Sequence, residues 1–246
     1  MFYGGFNKIL AVFTMISVMT TACSLYADEV TVPSVYDEAS GKWIGDVDAL
    51  TNALHGAASK SRTVYLSRGE YDVTHLTNAY MYTYVWNGGN AILRSNKAVI
   101  KGVTGDPKDV VIKVDPAAGA RIMMLEEDGQ LHAVTMTGGN ASESCNPDLS
   151  NYRVGGAVGF SGNGIISNCV FYGNRSVRSG GAVGSQHGAY LGKVYDSVFY
   201  GNNGSSYGAL VACRTTLINC IITNNVSPGL EGDGIPGYVT ESCNIY

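Results

Sequence analysis

Gly155-Gly156-Ala157-Val158 opens a repeat that runs through the second half of the chain. The phrase returns, complete and then eroded, as Gly180-Gly181-Ala182-Val183 and as Tyr207-Gly208-Ala209-Leu210. A second phrase follows each copy: Cys169-Val170-Phe171-Tyr172-Gly173-Asn174, Ser197-Val198-Phe199-Tyr200-Gly201-Asn202 and Cys220-Ile221-Ile222-Thr223-Asn224-Asn225. The two phrases keep their order while the spacing between copies varies. This behaviour favours stacked short strands joined by variable turns over a helical solenoid, whose repeat length is nearly constant.

The composition of the phrases predicts strands. Each is a short run rich in Val, Ile, Phe and Tyr, bounded by Gly, Asn and Ser. Parallel strands joined by crossovers wind almost always in the right-handed sense. We therefore expect an all-β protein, a single-stranded right-handed parallel β-helix over residues 28–246, with its clearest repeats at 155–225.

Equivalent residues of stacked coils form columns, because parallel strands lie about 4.8 Å apart. An apolar column inside the coils is predicted for Phe171, Phe199 and Ile222. A second column, at a turn, is predicted for Asn174, Asn202 and Asn225. Asparagine tolerates turn geometry and its amide can bond to the copies above and below, so this second column is expected to form a hydrogen-bonded ladder.

The first 27 residues have the layout of a secretory signal peptide. Lys8 precedes a largely apolar run at residues 9–19, and cleavage is expected after Ala27, with Ala22 as the less favoured alternative. The run is too short to span a bilayer, so no membrane span is expected after signal removal. Lipidation at Cys23 is a less favoured interpretation of this segment, because Thr20 occupies the position where a lipobox has Leu. We expect an exported protein, either secreted or held at the cell surface or outer membrane.

One amphipathic helix is predicted, at residues 46–59. Val47, Leu50 and Leu54 lie on one helical face, with Asp46 as N-cap. Such a helix directly before the first coil would cover the open end of a solenoid. No comparable segment follows the last repeat in the sequence. The C-terminal end is therefore expected to be truncated or uncapped, with end-on self-association as one consequence.

Cysteine spacing gives no metal motif. The chain has 6 cysteines, and removal of the signal peptide takes away Cys23 and leaves an odd number. Cys169 and Cys220 hold the same position two coils apart, roughly 10 Å, which exceeds disulfide reach. They are expected to be small buried apolar residues. The pairing of the other three stays open: Cys145, Cys213 and Cys243.

The chain has a formal charge of −4 and only 15% charged residues, and its Lys and Arg residues are not clustered into a basic stripe. Nucleic acid is therefore not an expected partner.

Two sets of residues resemble known families. The predicted helix, the strand Thr63-Val64-Tyr65-Leu66 and the turn Gly69-Glu70-Tyr71 resemble the entry of pectate-lyase-like right-handed β-helix proteins, the pectin lyase fold. The Gly-Gly-Ala and Phe-x-x-Asn pairs, the latter at Phe171/Asn174 and Phe199/Asn202, resemble repeats of polymorphic outer-membrane proteins and of secreted β-helix repeat proteins. The third copy departs from the pattern with Ile222. The resemblance implies the fold and an exported protein.

Enzymes of the resembled fold cut acidic polysaccharides with clustered carboxylates. Hydrolysis needs a carboxylate pair, and elimination needs a cation, usually calcium, with a base. Between residues 155 and 225 the only carboxylate is Asp196. The leading hypothesis is therefore a non-catalytic adhesion or binding module with no cofactor, and its expected partner is a polysaccharide or cell-surface glycan.

The alternative hypothesis is a degenerate or truncated polysaccharide lyase or glycoside hydrolase. Its catalytic candidates are Asp196, His187, Arg175 and Arg178. Calcium belongs to this alternative alone, with a ligand cluster at Glu126, Glu127 and Asp128. The ordinary interpretation of that cluster is a solvated turn before Gly129.

A Tyr-rich insert supplies the candidates for glycan binding. They are Tyr82, Tyr84 and Trp86. Aromatic side chains in a loop can stack on sugars or can cover an apolar gap while keeping a polar tip in water, so both interpretations stay open for this insert.

Overall fold

The computed structural model describes residues 29–56, 62–78, 91–95, 97–142, 154–177, 180–185, 192–204, 211–212, 215–226 and 240–242. Within these ranges there is one α-helix, α1 (Val47–Gly56), and three short 3-10 helices at Thr74–Asn78, Pro107–Asp109 and Pro116–Ala118. No helix in the described ranges has the length and hydrophobicity needed to cross a membrane.

Short strands make up most of the described chain. The first twelve are β1 (Glu29–Val32), β2 (Ser34–Asp37), β3 (Lys42–Gly45), β4 (Thr63–Leu66), β5 (Gly69–Asp72), β6 (Ala91–Arg94), β7 (Val99–Gly102), β8 (Val110–Lys113), β9 (Arg121–Glu126), β10 (Gln130–His132), β11 (Thr135–Thr137) and β12 (Asn140–Ala141). The next twelve are β13 (Val158–Ser161), β14 (Ile165–Ser167), β15 (Val170–Tyr172), β16 (Arg175–Ser176), β17 (Val183–Ser185), β18 (Lys193–Tyr195), β19 (Val198–Tyr200), β20 (Asn203–Gly204), β21 (Val211–Ala212), β22 (Thr216–Ile218), β23 (Ile221–Thr223) and β24 (Thr240–Ser242).

The strands form four open sheets. Sheet 1 has the order β1-β4-β7-β10-β14-β18-β22-β24, and sheet 2 the order β2-β3-β5-β8-β11-β15-β19-β23. Sheet 3 is β6-β9-β13-β17-β21, and sheet 4 is β12-β16-β20. From β4 onward the chain visits sheets 1, 2 and 3 in turn, and from β12 onward it adds sheet 4 between sheets 2 and 3. The protein is thus predominantly β with largely parallel sheets, an arrangement compatible with a β-helix.

Alternation along each strand separates the core from the surface. On sheet 2 the inward residues in register are Ile112, Met136, Phe171, Phe199 and Ile222, all buried. On sheet 1 they are Val64, Ile100, Leu131, Ile166, Val194 and Leu217, also buried. The rings of Phe171 and Phe199 stack with centroids 5.1 Å apart and an interplanar angle of 15°. Each such side chain contributes about 1.5–3 kcal/mol of burial free energy.

A ladder of side-chain amides follows sheet 2. Asn174 Nδ2 donates to Asn202 Oδ1 at 3.1 Å, and Asn202 Nδ2 donates to Asn225 Oδ1 at 3.0 Å. The same amides serve the backbone, because Asn202 Nδ2 also donates to the carbonyl of Phe171 and Asn202 Oδ1 accepts from the Asn174 N–H. The ladder therefore satisfies backbone groups where the chain leaves sheet 2.

Helix α1 lies within the predicted range 46–59, of which residues 57–59 fall outside the described residues. The carboxylate of Asp46 accepts from the Ala49 N–H at 2.8 Å, as an N-cap does. Leu50 and Leu54 are buried, and the helix packs against β1, β4 and β6. The helix thus sits at the N-terminal edge of sheets 1 and 3.

The segment before this helix contains β1 in sheet 1 and an antiparallel hairpin of β2 and β3 at the edge of sheet 2. The turn of the hairpin has local causes: Asp37 accepts from the Ala39 and Ser40 N–H groups, and Gly41 has a φ of 67°. The structure differs from the prediction at Gly69 and Glu70, which are strand residues of β5 and not part of a turn.

Cys169 and Cys220 are buried, and neither forms a disulfide. The Cys169 N–H donates to the hydroxyl of Ser197, which occupies the same position in the intervening coil. Burial raises the pKa of the Cys169 thiol to about 12, so this thiol stays protonated and acts as a packing group.

Candidate functional site

The outer face of sheet 2 is built by the same alternation that builds its core. In Val170-Phe171-Tyr172 and in Val198-Phe199-Tyr200 the central Phe is buried, so the flanking Val and Tyr point outward. Because β15 and β19 pair in register, Tyr172 lies beside Tyr200 and Val170 beside Val198. Two outward columns result, one aromatic and one aliphatic.

We define the tyrosine column as Thr137, Tyr172, Tyr200 and Thr223, which are successive partners in register. Tyr172 is 42% exposed and Tyr200 51% exposed. Within the part of the chain that the structure describes, neither phenolic hydroxyl has a hydrogen-bond partner. Each Tyr is followed by a glycine of positive φ, Gly173 and Gly201, so no side chain from the next position crowds the ring.

The aliphatic column runs beside it and consists of Val170, Val198 and Ile221. Val170 and Val198 are partly exposed, and Ile221 is 43% exposed. The two columns together form an apolar strip with the hydroxyls of the tyrosine column along one side.

Toward the N-terminal edge the same face becomes charged. Lys113 precedes Thr137 in the column and contacts Glu70 at 2.8 Å and Asp72 at 3.7 Å. Lys42 also contacts Glu70 at 2.8 Å. Hydrogen bonds from Lys113 and from Lys42 hold the pKa of Glu70 below its usual range. These charged side chains are paired with one another, whereas the tyrosines of the column have no ion or hydrogen-bond partner among the described residues.

The chemistry of the strip suits a ligand with both apolar faces and hydroxyls. A phenol ring offers an apolar face and a polar tip, and it needs a partner for its hydroxyl when it is covered. Adjacent strands place successive rings about 4.8 Å apart, which is comparable to the length of one sugar unit in an extended polysaccharide. Two successive units of a sugar chain running across the strands would meet Tyr172 and Tyr200.

The acidic cluster considered for calcium is engaged in ion pairs. Glu126 pairs with Arg94, and Glu127 pairs with Lys97 at 2.5 Å. Among the described residues no group of three or more His, Cys, Asp and Glu side chains is arranged to hold a metal ion. Glu127 has a φ of 49°, which belongs to the turn that separates β9 from β10.

The structure does not bring Asp196 and Arg175 together. Asp196 lies in the turn between β18 and β19, is exposed, and accepts from Asn219 Nδ2 at 2.5 Å. Arg175 is an exposed residue of β16 in sheet 4, in register with Asn140 and Asn203. A strand of sheet 2 separates the two positions along each coil.

The remaining candidates lie outside the described residues. They are His187 and Arg178 for catalysis, Tyr82, Tyr84 and Trp86 for binding, and Cys145, Cys213 and Cys243 for disulfides.

Tyr172 and Tyr200 were missed as binding candidates even though both belong to the second phrase. The signal was the alternation itself: an inward Phe171 requires an outward Tyr172.

Comparison with known protein families gives no match for this chain. Comparisons with curated proteins and with solved structures likewise find no significant similarity.

Proposed function

We propose that the chain is an exported polysaccharide-binding module that does not cleave the polymer and that uses the tyrosine column as its binding surface. The observation that carries the proposal is the in-register pair of outward tyrosines, Tyr172 and Tyr200, each about half exposed. Export rests on the signal-like residues 1–27 and the ligand class on the geometry of the column. The protein acts in secreted form or at the cell surface.

The proposed fold is a single right-handed parallel β-helix of the pectate-lyase-like type. The fixed order in which the chain visits the sheets supports it, because each strand pairs with its equivalent in the next coil. The right-handed sense follows from the preference of parallel crossovers. The Gly-Gly-Ala and Phe-x-x-Asn phrases support a relation to surface-displayed β-helix repeats.

The alternative, a degenerate polysaccharide-degrading enzyme, has less support. Asp196 is hydrogen-bonded to Asn219, and Glu126 and Glu127 are each paired with a cation. A polysaccharide-binding surface is compatible with both a binding module and a degenerate enzyme, so the test below also records cleavage.

Affinity electrophoresis tests the proposal. Native gels containing polygalacturonate, alginate, laminarin or hydroxyethyl cellulose retard a protein that binds the embedded polymer. We expect at least one polymer to retard the wild-type protein and the Tyr172→Ala/Tyr200→Ala variant to lose most of that retardation. Tyr36→Ala is the matched control, because Tyr36 is 48% exposed but lies on the hairpin at the edge of sheet 2.

Three results would count against the proposal. Equal retardation of the double variant and wild type would exclude the tyrosine column, and free mobility in every gel would exclude these polysaccharide classes. New reducing ends on incubation with a polymer, with or without calcium, would favour the enzymatic alternative.

A further inference from the structure

A group of three polar side chains lies on the outer face of sheet 1, away from the tyrosine column. In β10 the central Leu131 is buried, so Gln130 and His132 point outward together. The parallel register places Ser167 of β14 directly beside His132. Gln130 and His132 are two residues apart on the same strand, and Ser167 lies beside His132 on the next strand. The three side chains therefore lie next to one another on the outer face.

The hydrogen bonds within this group identify which atoms donate and which accept. Ser167 Oγ lies 2.6 Å from His132 Nδ1, and Gln130 Oε1 lies 2.9 Å from His132 Nε2. Because Gln130 presents to Nε2 its amide oxygen, which only accepts, we assign the imidazole proton to Nε2 and the lone pair to Nδ1. The serine hydroxyl therefore donates to Nδ1. This is the arrangement of a nucleophile, its base and the group that orients the base.

The surroundings favour the neutral base. Burial, and then the charge of Lys101, lower the pKa of His132. Lys101 is the cross-strand neighbour of His132 on β7, and Tyr195 is the neighbour of Ser167 on β18. The phenol hydroxyl of Tyr195 is therefore the donor that the adjacent strand offers to the oxyanion formed on a substrate carbonyl at Ser167.

The backbone around Ser167 is held in place. Its carbonyl accepts from the Ala133 N–H at 3.2 Å, and the next residue, Asn168, has a φ of 50° and donates from Nδ2 to the Gly105 carbonyl. The nucleophile therefore sits on a rigid strand end and not on a free loop.

We propose that Ser167 and His132 form a nucleophile–base pair that hydrolyses small acyl esters, with Gln130 as a positioning residue. Ser167 Oγ bonds to the ester carbonyl carbon while its proton passes to His132 Nδ1. The bond from carbon to the alcohol oxygen breaks, and the leaving alkoxide takes the proton from the imidazolium. Water then adds to the acyl carbon while one of its protons passes to His132 Nδ1; the bond from that carbon to Ser167 Oγ breaks, and the imidazolium returns the proton to Oγ as the acid leaves. The site is independent of polysaccharide binding on sheet 2.

A fluorophosphonate probe and p-nitrophenyl acetate test the proposal on the purified full chain. We expect one probe adduct per chain, mapped by peptide mass spectrometry to Ser167, and release of p-nitrophenol. Ser167→Ala should abolish both signals. His132→Gln should slow labelling at least about 100-fold, in line with the usual contribution of a general base. Ser161→Ala is the control, because Ser161 is a partly exposed serine on β13 outside this group, and it should react like wild type.

The positioning role of Gln130 has its own readouts. Gln130→Glu should raise the pKa of His132 and move the acidic limb of the pH–rate profile upward. Gln130→Leu should slow labelling and shift the imidazole from the Nε2–H toward the Nδ1–H tautomer, which ¹⁵N NMR distinguishes. A wild-type imidazole already in the Nδ1–H form would overturn the assignment, because Nδ1 would then donate to the serine.

Two further outcomes would overturn the proposal. One is the absence of an adduct on protein whose circular dichroism shows it to be folded. The other is an adduct that persists in Ser167→Ala and maps to another residue.

Discussion

The side-chain amide of Asn174 donates a hydrogen bond to Oδ1 of Asn202 at 3.1 Å, and both side chains are fully buried. The relation repeats one coil later between Asn202 and Asn225. The same amide groups also form hydrogen bonds with backbone atoms at the end of each sheet 2 strand. The ladder therefore stabilises the backbone as well as the contacts among its own side chains.

Asn202→Ala should destabilise the protein strongly. The change leaves the Asn174 N–H and the Phe171 carbonyl without their present partner. A buried polar group that loses its partner costs about 1–3 kcal/mol, so the free energy of unfolding should fall by roughly 3 kcal/mol or more. Urea unfolding followed by circular dichroism measures the loss.

The neighbouring Asn203→Ala is the control, because Asn203 is exposed and surface substitutions usually change stability by less than about 0.5 kcal/mol. Equal losses for the two variants would show that the ladder contributes little.

Phe199→Ala should cost about 3–5 kcal/mol of unfolding free energy. Phe199 is fully buried and stacks on Phe171, and the cavity would lie between coils. Phe199→Leu removes less volume and should cost clearly less. A denaturation midpoint for Phe199→Ala as high as that for Phe199→Leu would mean that the coils close around the cavity.

Arg121 is a buried arginine whose removal should loosen the chain near residue 154. Its guanidinium donates from Nη2 to the Val154 carbonyl at 2.6 Å and from Nε to the Gly155 carbonyl at 3.0 Å. Arg121→Met leaves both carbonyls without this donor, and hydrogen bonds to charged groups contribute about 1.5–3 kcal/mol. Hydrogen exchange should accelerate at residues 154–157.

Arg175→Met serves as the control for this change, because Arg175 is exposed. Unchanged exchange rates at residues 154–157 in Arg121→Met would show that these hydrogen bonds from Arg121 do not hold the segment in place.

His132 should titrate below the ordinary histidine value of about 6.5. Burial, followed by Lys101, lowers its pKa. Because the unfolded chain protonates first, the contribution of His132 to stability is complete above about pH 6.5 and is lost as pH falls through the lower, folded pKa. NMR titration of the imidazole gives the midpoint directly. Lys101→Met should raise it without restoring the ordinary value, whereas a wild-type midpoint above 6.5 would contradict the burial of the ring.

Much of sheet 2 could be predicted because its two constraints are both visible in the chain. Alternation requires Phe171 and Phe199 to share a face, and the asparagine that ends each phrase fixes the register. The hairpin of β2 and β3 could not be predicted in this way, because Tyr36 and Trp43 face each other across it and are half exposed. The pair belongs to no series of buried apolar residues that would reveal the two strands in the sequence.

The polar group on sheet 1 was missed for a different reason. His132 and Ser167 stand in strands of unlike composition, Gln130–His132 and Ile165–Ser167. Only the structural register between Leu131 and Ile166 places them side by side. Conversely, Glu126, Glu127 and Asp128 are adjacent in sequence, but the two glutamates face separate cations.

The most direct test of the polysaccharide-binding account is a calorimetric titration with an oligosaccharide series, from one sugar to six, cut from the polymer that retards the protein. The tyrosine column spans roughly 14 Å at about 4.8 Å per strand, so Kd should fall with length and level off at three or four sugars. Each Tyr→Ala change should weaken binding about fivefold, for a loss of ~1 kcal/mol per ring. Affinity that is independent of length, or unchanged in Tyr172→Ala/Tyr200→Ala, would contradict the account.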